Sequence, residues 1–112
     1  MINTFVSTQK YKTNRLKKMT LKLYKYMKKR GFGETLETLA GFKDNKAVQK
    51  KFFERFEKEQ SYYNAYLRVK DILIKEKIIA FELNEENEKV IKLTEKGQDL
   101  FNKIQEIEKI LA

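Results

Sequence analysis

The stretch "IIAFELNEENEKVIKLTEKGQDLF", Ile78 to Phe101, decides how this chain is read. Two short runs rich in β-branched and aromatic residues, 78–83 and 89–93, flank the polar "NEENE". Runs of that kind around a polar turn form a hairpin, and Asn84 and Asn87 suit the turn because asparagine tolerates left-handed backbone. The second run ends in Leu-Thr-Glu-Lys-Gly, and a helical pattern follows at once with Thr94 as its N-cap. The hairpin covers the edge of a small core and projects a loop beside the helix before it.

Upstream, the spacing predicts helices. Leu16, Met19, Leu23 and Tyr26/Met27 recur at helical intervals from Asn14 to Arg30, with Asn14 as the cap and Gly31-Phe32-Gly33 as the stop. "ETLETLAGF" gives a short second helix that buries Thr35, Leu36, Leu39 and Ala40. In "KDNKAVQKKFFERFEKEQ", Val48, Phe52 and Phe56 lie four apart, which predicts a third helix capped by Asp44 or Asn45. Its polar side carries Lys46, Lys50, Lys51, Arg55 and Lys58. A break at Gln60-Ser61 separates it from a fourth helix, in which Tyr62, Ala65, Tyr66, Val69, Ile72 and Leu73 face inward. The final helix, 95–111, spaces Leu100, Ile104, Ile107 and Leu111 four, three and four apart, a short heptad seam.

Helix, short helix, helix and then a hairpin is the element order of a winged helix-turn-helix. The stretch from "LIKEK" to Phe101 resembles the wing region of MarR-like and PadR-like regulators and of small archaeal, archaeal viral or plasmid winged-helix proteins. In those proteins a glycine commonly ends the recognition helix, and the second wing strand ends in Leu-Thr-x-Lys-Gly. The matching positions here are Lys77-Ile78-Ile79 and Leu93-Thr94-Glu95-Lys96-Gly97. "GFGETLETLAGF" is similar to the stretch that joins the family's first two helices. The resemblance covers roughly residues 31–42 and 61–101. It implies an α+β, mainly helical fold with an inserted helix, a two-stranded wing over 78–93 and a C-terminal helix. Residues 43–59 exceed the usual helix-turn-helix turn, which leaves open which helix partners the recognition helix.

At 112 residues the chain is one domain, read as a basic arm over 1–12, taken as flexible, and a winged-helix domain over 13–112. It has neither cysteine nor histidine, which removes thiolate and imidazole catalysis and nearly every zinc site. No segment has the apolar core of a signal peptide or a membrane span. The net charge is +9, and residues 1–30 hold ten basic side chains and no acid. A clustered basic field of this kind attracts polyanions.

The resemblance places base reading at the N-terminal part of the fourth helix, Ser61 to Arg68. With Val69 at the centre of the buried face, Tyr63, Asn64, Leu67, Lys70 and Asp71 point away from it. Asn64 has the chemistry to pair with adenine, and Arg68 with guanine or a phosphate. The candidate DNA-binding set is Ser61, Tyr63, Asn64, Arg68, Lys70, Lys46, Lys50, Lys51, Arg15 and Lys18. Against it stand two other readings: Tyr63 and Leu67 pack on the inserted helix, or Tyr62, Tyr63 and Tyr66 form a stacking surface for single strands. The wing tip holds Glu85, Glu86 and Glu88, so it either stays off phosphates or faces another protein. Asp71 with Glu76 or Glu82 is a conceivable Mg²⁺ pair. In a chain with 37% charged residues such pairs arise by default, and no enzyme, metal or cofactor is expected.

The resulting expectation is a cytoplasmic double-stranded DNA-binding regulator, in the host cytoplasm if viral or plasmid-encoded. It docks as a homodimer held by Leu100, Ile104, Ile107 and Leu111, with no membrane or small-molecule partner. The alternatives are a nonspecific chromatin-like or RNA-binding protein and a winged-helix protein-interaction module. Selection of a binding site across a salt series separates them.

Overall fold

The computed structural model describes residues 22–60 and 63–112. Its elements are α1 (22–27 of the described residues), α2 (Phe32–Ala40), β1 (Lys46–Val48), α3 (Gln49–Glu59), α4 (Tyr63–Lys75), β2 (Ile79–Leu83), β3 (Lys89–Leu93) and α5 (Glu95–Leu111). The arm over 1–12 and the Asn14 cap lie outside the described residues.

Helix α1 ends at Met27, earlier than the sequence spacing predicts, and "GFG" starts α2 instead of closing α1. Gly31 adopts a left-handed backbone, with φ 104°, and α4 passes directly over it: a Cβ there would overlap the Ala65 carbonyl. The Glu34 carboxylate accepts the Gly31 N–H at 3.0 Å, and the Thr35 hydroxyl donates to the Gly31 carbonyl at 2.6 Å. The carboxylate gives the Gly31 N–H a partner at the helix start, and the hydroxyl adds a second bond to a carbonyl that already accepts the Thr35 N–H. Phe32, Thr35, Leu36 and Leu39 then fall at i, i+3, i+4 and i+7, and all four are fully buried.

The third helix does not begin at Asn45. Asp44 and Asn45 take left-handed backbone, φ 59° and 55°, which short polar side chains tolerate. Lys46-Ala47-Val48 then pair antiparallel with Lys92-Ile91-Val90 of β3. The sheet is therefore three-stranded, in the order β1-β3-β2, and Val48 lies in a strand just ahead of the helix. The helix proper starts at Gln49 and buries Phe52 and Phe56.

Helices α3, ending at Glu59, and α4, described from Tyr63, are consecutive and pack on each other. Two consecutive packed helices make a helix-turn-helix pair, so α3, the helix that looked like an insert, is the partner of α4. Their contact is aromatic: Phe52 meets Tyr66 edge-on at 5.2 Å between centroids, and Phe53 meets Tyr63 at 4.5 Å. Ala65, Tyr66, Val69 and Leu73 form the buried face of α4.

Helix α4 stops by a Schellman motif. The Ile78 N–H donates to the Leu73 carbonyl at 2.9 Å and the Lys77 N–H to the Ile74 carbonyl at 3.0 Å, with Lys77 left-handed at φ 59°. Leu73 and Ile78, both buried, supply the apolar contact that accompanies this motif. The position commonly filled by glycine thus has the backbone that favours glycine, and here a lysine occupies it.

The hairpin pairs Ile79 with Leu93 through Leu83 with Lys89. The Asn84 carboxamide oxygen accepts the N–H groups of Glu86 and Glu88, each at 2.9 Å, and Asn87 is left-handed. Thr94 then joins three elements. Its hydroxyl donates to the carbonyls of Lys77 (2.5 Å) and Ile78 (3.1 Å) at the end of α4 and accepts the Gly97 N–H at 3.0 Å as the α5 cap. Leu100, Phe101 and Ile104 lay the first half of α5 on the core.

Candidate nucleic-acid interface

Packing sorts the side chains of α4. Asn64, Leu67, Arg68 and Asp71 are exposed and follow one another at three- and four-residue steps, so they form a single outward strip. Tyr63 is half-buried because its ring packs edge-on against Phe53, as the alternative packing reading expected for this residue. Leu67 does not pack in that way and is 42% exposed. Tyr66 is enclosed by Phe52, Phe53 and Phe56, and burial pushes its phenol well above the usual range. A stacking surface that includes Tyr66 is therefore ruled out.

Lys50 and Lys51 are exposed in the first turn of α3. Lys46 lies on β1 and not on that helix. Its ammonium is 3.5 Å from the Glu82 carboxylate, which also holds Lys92 at 2.8 Å. Lys46 and Lys92 are directly opposed across the strands, so Glu82 offsets a like-charge pair. The bond from Lys92, reinforced by Lys46, holds the Glu82 carboxyl below its usual range. Lys70 is half-buried on the flank of α4, and its ammonium stands 5.9 Å from the centre of the Phe81 ring. Lys89, from β3, stands 4.4 Å from the same ring. These two cations from helix and wing meet at Phe81, midway along the hairpin, and Lys89 directly follows the turn that carries the exposed carboxylates of Glu85, Glu86 and Glu88. Lys89 was not among the candidate residues, because its place near α4 depends on the hairpin register, in which it pairs with Leu83 and reaches the Phe81 ring. Arg15, Lys18 and Ser61 lie outside the described residues.

Glu76 marks the opposite end of α4. Its carboxylate accepts bonds from Lys22 (2.7 Å) and Tyr26 (2.7 Å) of α1, with Lys96 of α5 at 3.9 Å. Lys22 and then Tyr26 hold its carboxyl below the usual range, and the same bonds raise both donors. Glu76 and Glu82 are thus each engaged by cations, and the described residues contain no group of three His, Cys, Asp or Glu able to hold a metal. No helix among them is long and apolar enough to cross a membrane.

The residues expected to hold a dimer divide. Leu100 and Ile104 pack against the core of their own chain, whereas Ile107 and Leu111 are 48% and 74% exposed, with Ile110 beside them at 81%.

A helix-turn-helix whose second helix runs into a two-stranded wing, backed by a third strand and a C-terminal helix, defines a winged helix-turn-helix protein. Among solved structures, the chain is similar to F93 from the archaeal virus STIV, described as a winged-helix DNA-binding protein. The likeness has a TM-score of 0.58 and 25% sequence identity, and covers 70% of this chain and 86% of that one. No protein-family model matches the chain, and no curated protein matches it in sequence.

Proposed function

We propose that this chain is a double-stranded DNA-binding protein that regulates transcription as a homodimer in the cytoplasm. The observation that carries the reading is the outward strip of α4, with Asn64 and Arg68 exposed on the second helix of a helix-turn-helix. In this arrangement the strip enters the major groove and the first turn of α3 lies over the backbone. Lys50 and Lys51 face phosphates there, and Lys70 and Lys89 face phosphates beside Phe81 on the wing. The acidic wing tip stays off the duplex, because Glu85, Glu86 and Glu88 would meet phosphates as like charges. The likeness to F93, described as DNA-binding, supports the same reading. Basic residues 1–30, including Arg15 and Lys18, add to the attractive field.

Two copies related through α5 would place two α4 helices on one side of a duplex, about one helical turn or roughly 34 Å apart. The test is selection of binding sites from random duplexes, followed by affinity measurements over a salt series. A regulator yields a palindromic site that keeps a large advantage over random duplex, while both affinities fall steeply with salt. Steep salt dependence with no selected site would indicate a nonspecific binder. No binding at low salt would remove the DNA reading altogether.

A further inference from the structure

One member of the outward strip of α4 is apolar. Ala65, Tyr66, Val69 and Leu73 are buried, and Tyr63 is engaged with Phe53. Leu67 stays 42% exposed, one turn after Asn64, one turn before Asp71 and adjacent to Arg68. Isolated exposed leucines are ordinary on protein surfaces. This one lies at the centre of the face that the DNA-binding reading puts into the major groove. Asn64, Arg68 and Asp71 each have a hydrogen-bonding partner available on a base edge or phosphate, and Leu67 has none. The apolar group that the major groove presents is the 5-methyl of thymine.

We infer that Leu67 is a specificity-determining residue that reads a thymine methyl beside the base addressed by Asn64. The inference rests on the DNA-binding reading above. Three residues of α-helix advance about 4.5 Å, close to one base-pair step of roughly 3.4 Å, so the two side chains address neighbouring pairs. Asn64 suits adenine, and the recognised element therefore contains an adenine and a thymine at adjacent positions.

The test starts from the selected site. Each thymine is replaced singly by deoxyuridine, which removes the methyl and leaves the hydrogen-bonding edge intact. Affinity is read by fluorescence anisotropy at fixed salt. The expected result is one thymine per half-site whose replacement weakens binding about fourfold, the value of one buried methyl group. In Leu67→Ala that difference disappears, while binding to random duplex stays within about twofold. Leu67→Met, which keeps an apolar side chain, retains it. Circular dichroism of both variants checks that α4 still folds. Tight binding of the selected site with no uracil-sensitive position overturns the inference and leaves the DNA-binding reading intact. So does a uracil effect that persists in Leu67→Ala. Failure to bind any duplex at low salt removes both.

Discussion

Gly97 of α5 lies against the carbonyl of Ile78, so close that a Cβ at this position would overlap the carbonyl oxygen. That approach, with the Thr94 hydroxyl bonded to the carbonyls of Lys77 and Ile78, explains the order Leu-Thr-Glu-Lys-Gly. The threonine caps α5 and ties it to the end of α4, and the glycine lets the two backbones touch. Gly97→Ala should therefore destabilise the fold by about 2–3 kcal/mol, as overpacking against backbone does. Thr94→Ala should cost about 1 kcal/mol for the lost cap. Urea denaturation measures both, and a Gly97→Ala loss below that of Thr94→Ala would contradict the contact.

Lys77 offers a gain in stability. A side chain in left-handed backbone carries a penalty of about 1–2 kcal/mol, partly offset by the greater freedom that glycine has in the unfolded chain. Lys77→Gly should stabilise the protein by about 0.5–1 kcal/mol without altering the Schellman bonds to Leu73 and Ile74. The urea midpoint should rise at unchanged m-value, and a fall would place Lys77 in an interaction that the glycine removes.

Glu76 sets an acid limit. Its folded pKa is held below the ordinary 4.5 by Lys22 and Tyr26, so its contribution is complete above that value and is lost as pH falls through the folded pKa. Tyr26 and Lys22 are raised above 10.0 and 10.5, so theirs is complete below those values and is lost as pH rises through the folded ones. Glu76→Gln should flatten the stability profile at both ends. Parallel profiles for variant and wild type between pH 3 and 5, roughly the window in which a carboxylate titrates, would show that the cluster contributes nothing.

Much of this was legible in the sequence, and the rest was hidden for identifiable reasons. The Thr94 cap, the Asn84 turn and the Val69-centred face of α4 depend on neighbours within a turn or two, so spacing reveals them. Strand β1 was missed because Val48 continues the four-residue spacing of Phe52 and Phe56, while its partner Val90 lies far along the chain. Phe32, among the most deeply buried residues, stood between two glycines that resembled a stop. At the candidate interface, helical geometry turned Asn64 outward, and the resemblance pointed to the N-terminal part of α4, which holds both Asn64 and Arg68. The engagement of Tyr63 by Phe53, of Lys46 by Glu82, and of Lys70 and Lys89 at Phe81 is set by tertiary packing. No local pattern encodes it.

Those partners sharpen the expected salt response. Lys50→Gln and Lys51→Gln should each lower the salt slope of duplex binding by about 0.9, the value of one lost phosphate contact. Lys89→Gln should do the same if the backbone crosses the wing beside Phe81. Lys46→Gln should change the slope less, because Glu82 already neutralises part of its charge at 3.5 Å. An unchanged slope in the Lys50 and Lys51 variants would mean that the first turn of α3 points away from the duplex.

The last prediction concerns α5. Its first half is committed to its own chain, since Leu100, Phe101 and Ile104 pack on the core. Its second half is not: Ile107, Ile110 and Leu111 remain exposed near its end, an apolar edge on a helix that is otherwise polar there. A helix needed only to close a monomer core has no use for apolar residues in its last turn. Pairing with a second copy would remove them from water, each at a gain of about 1.5–3 kcal/mol if fully covered. The wild type should therefore sediment at twice 13.5 kDa at micromolar concentration. Ile107→Glu with Ile110→Glu should sediment as a monomer with an unchanged circular dichroism spectrum, because neither side chain supports the core. Ile104→Glu should instead lose stability as well, because that residue packs inward. Half-site affinity should survive in the double variant, and the advantage of a palindrome over a single half-site should vanish. A wild type that sediments at 13.5 kDa would refute the dimer. A double variant that remains dimeric would move the interface off this edge of α5.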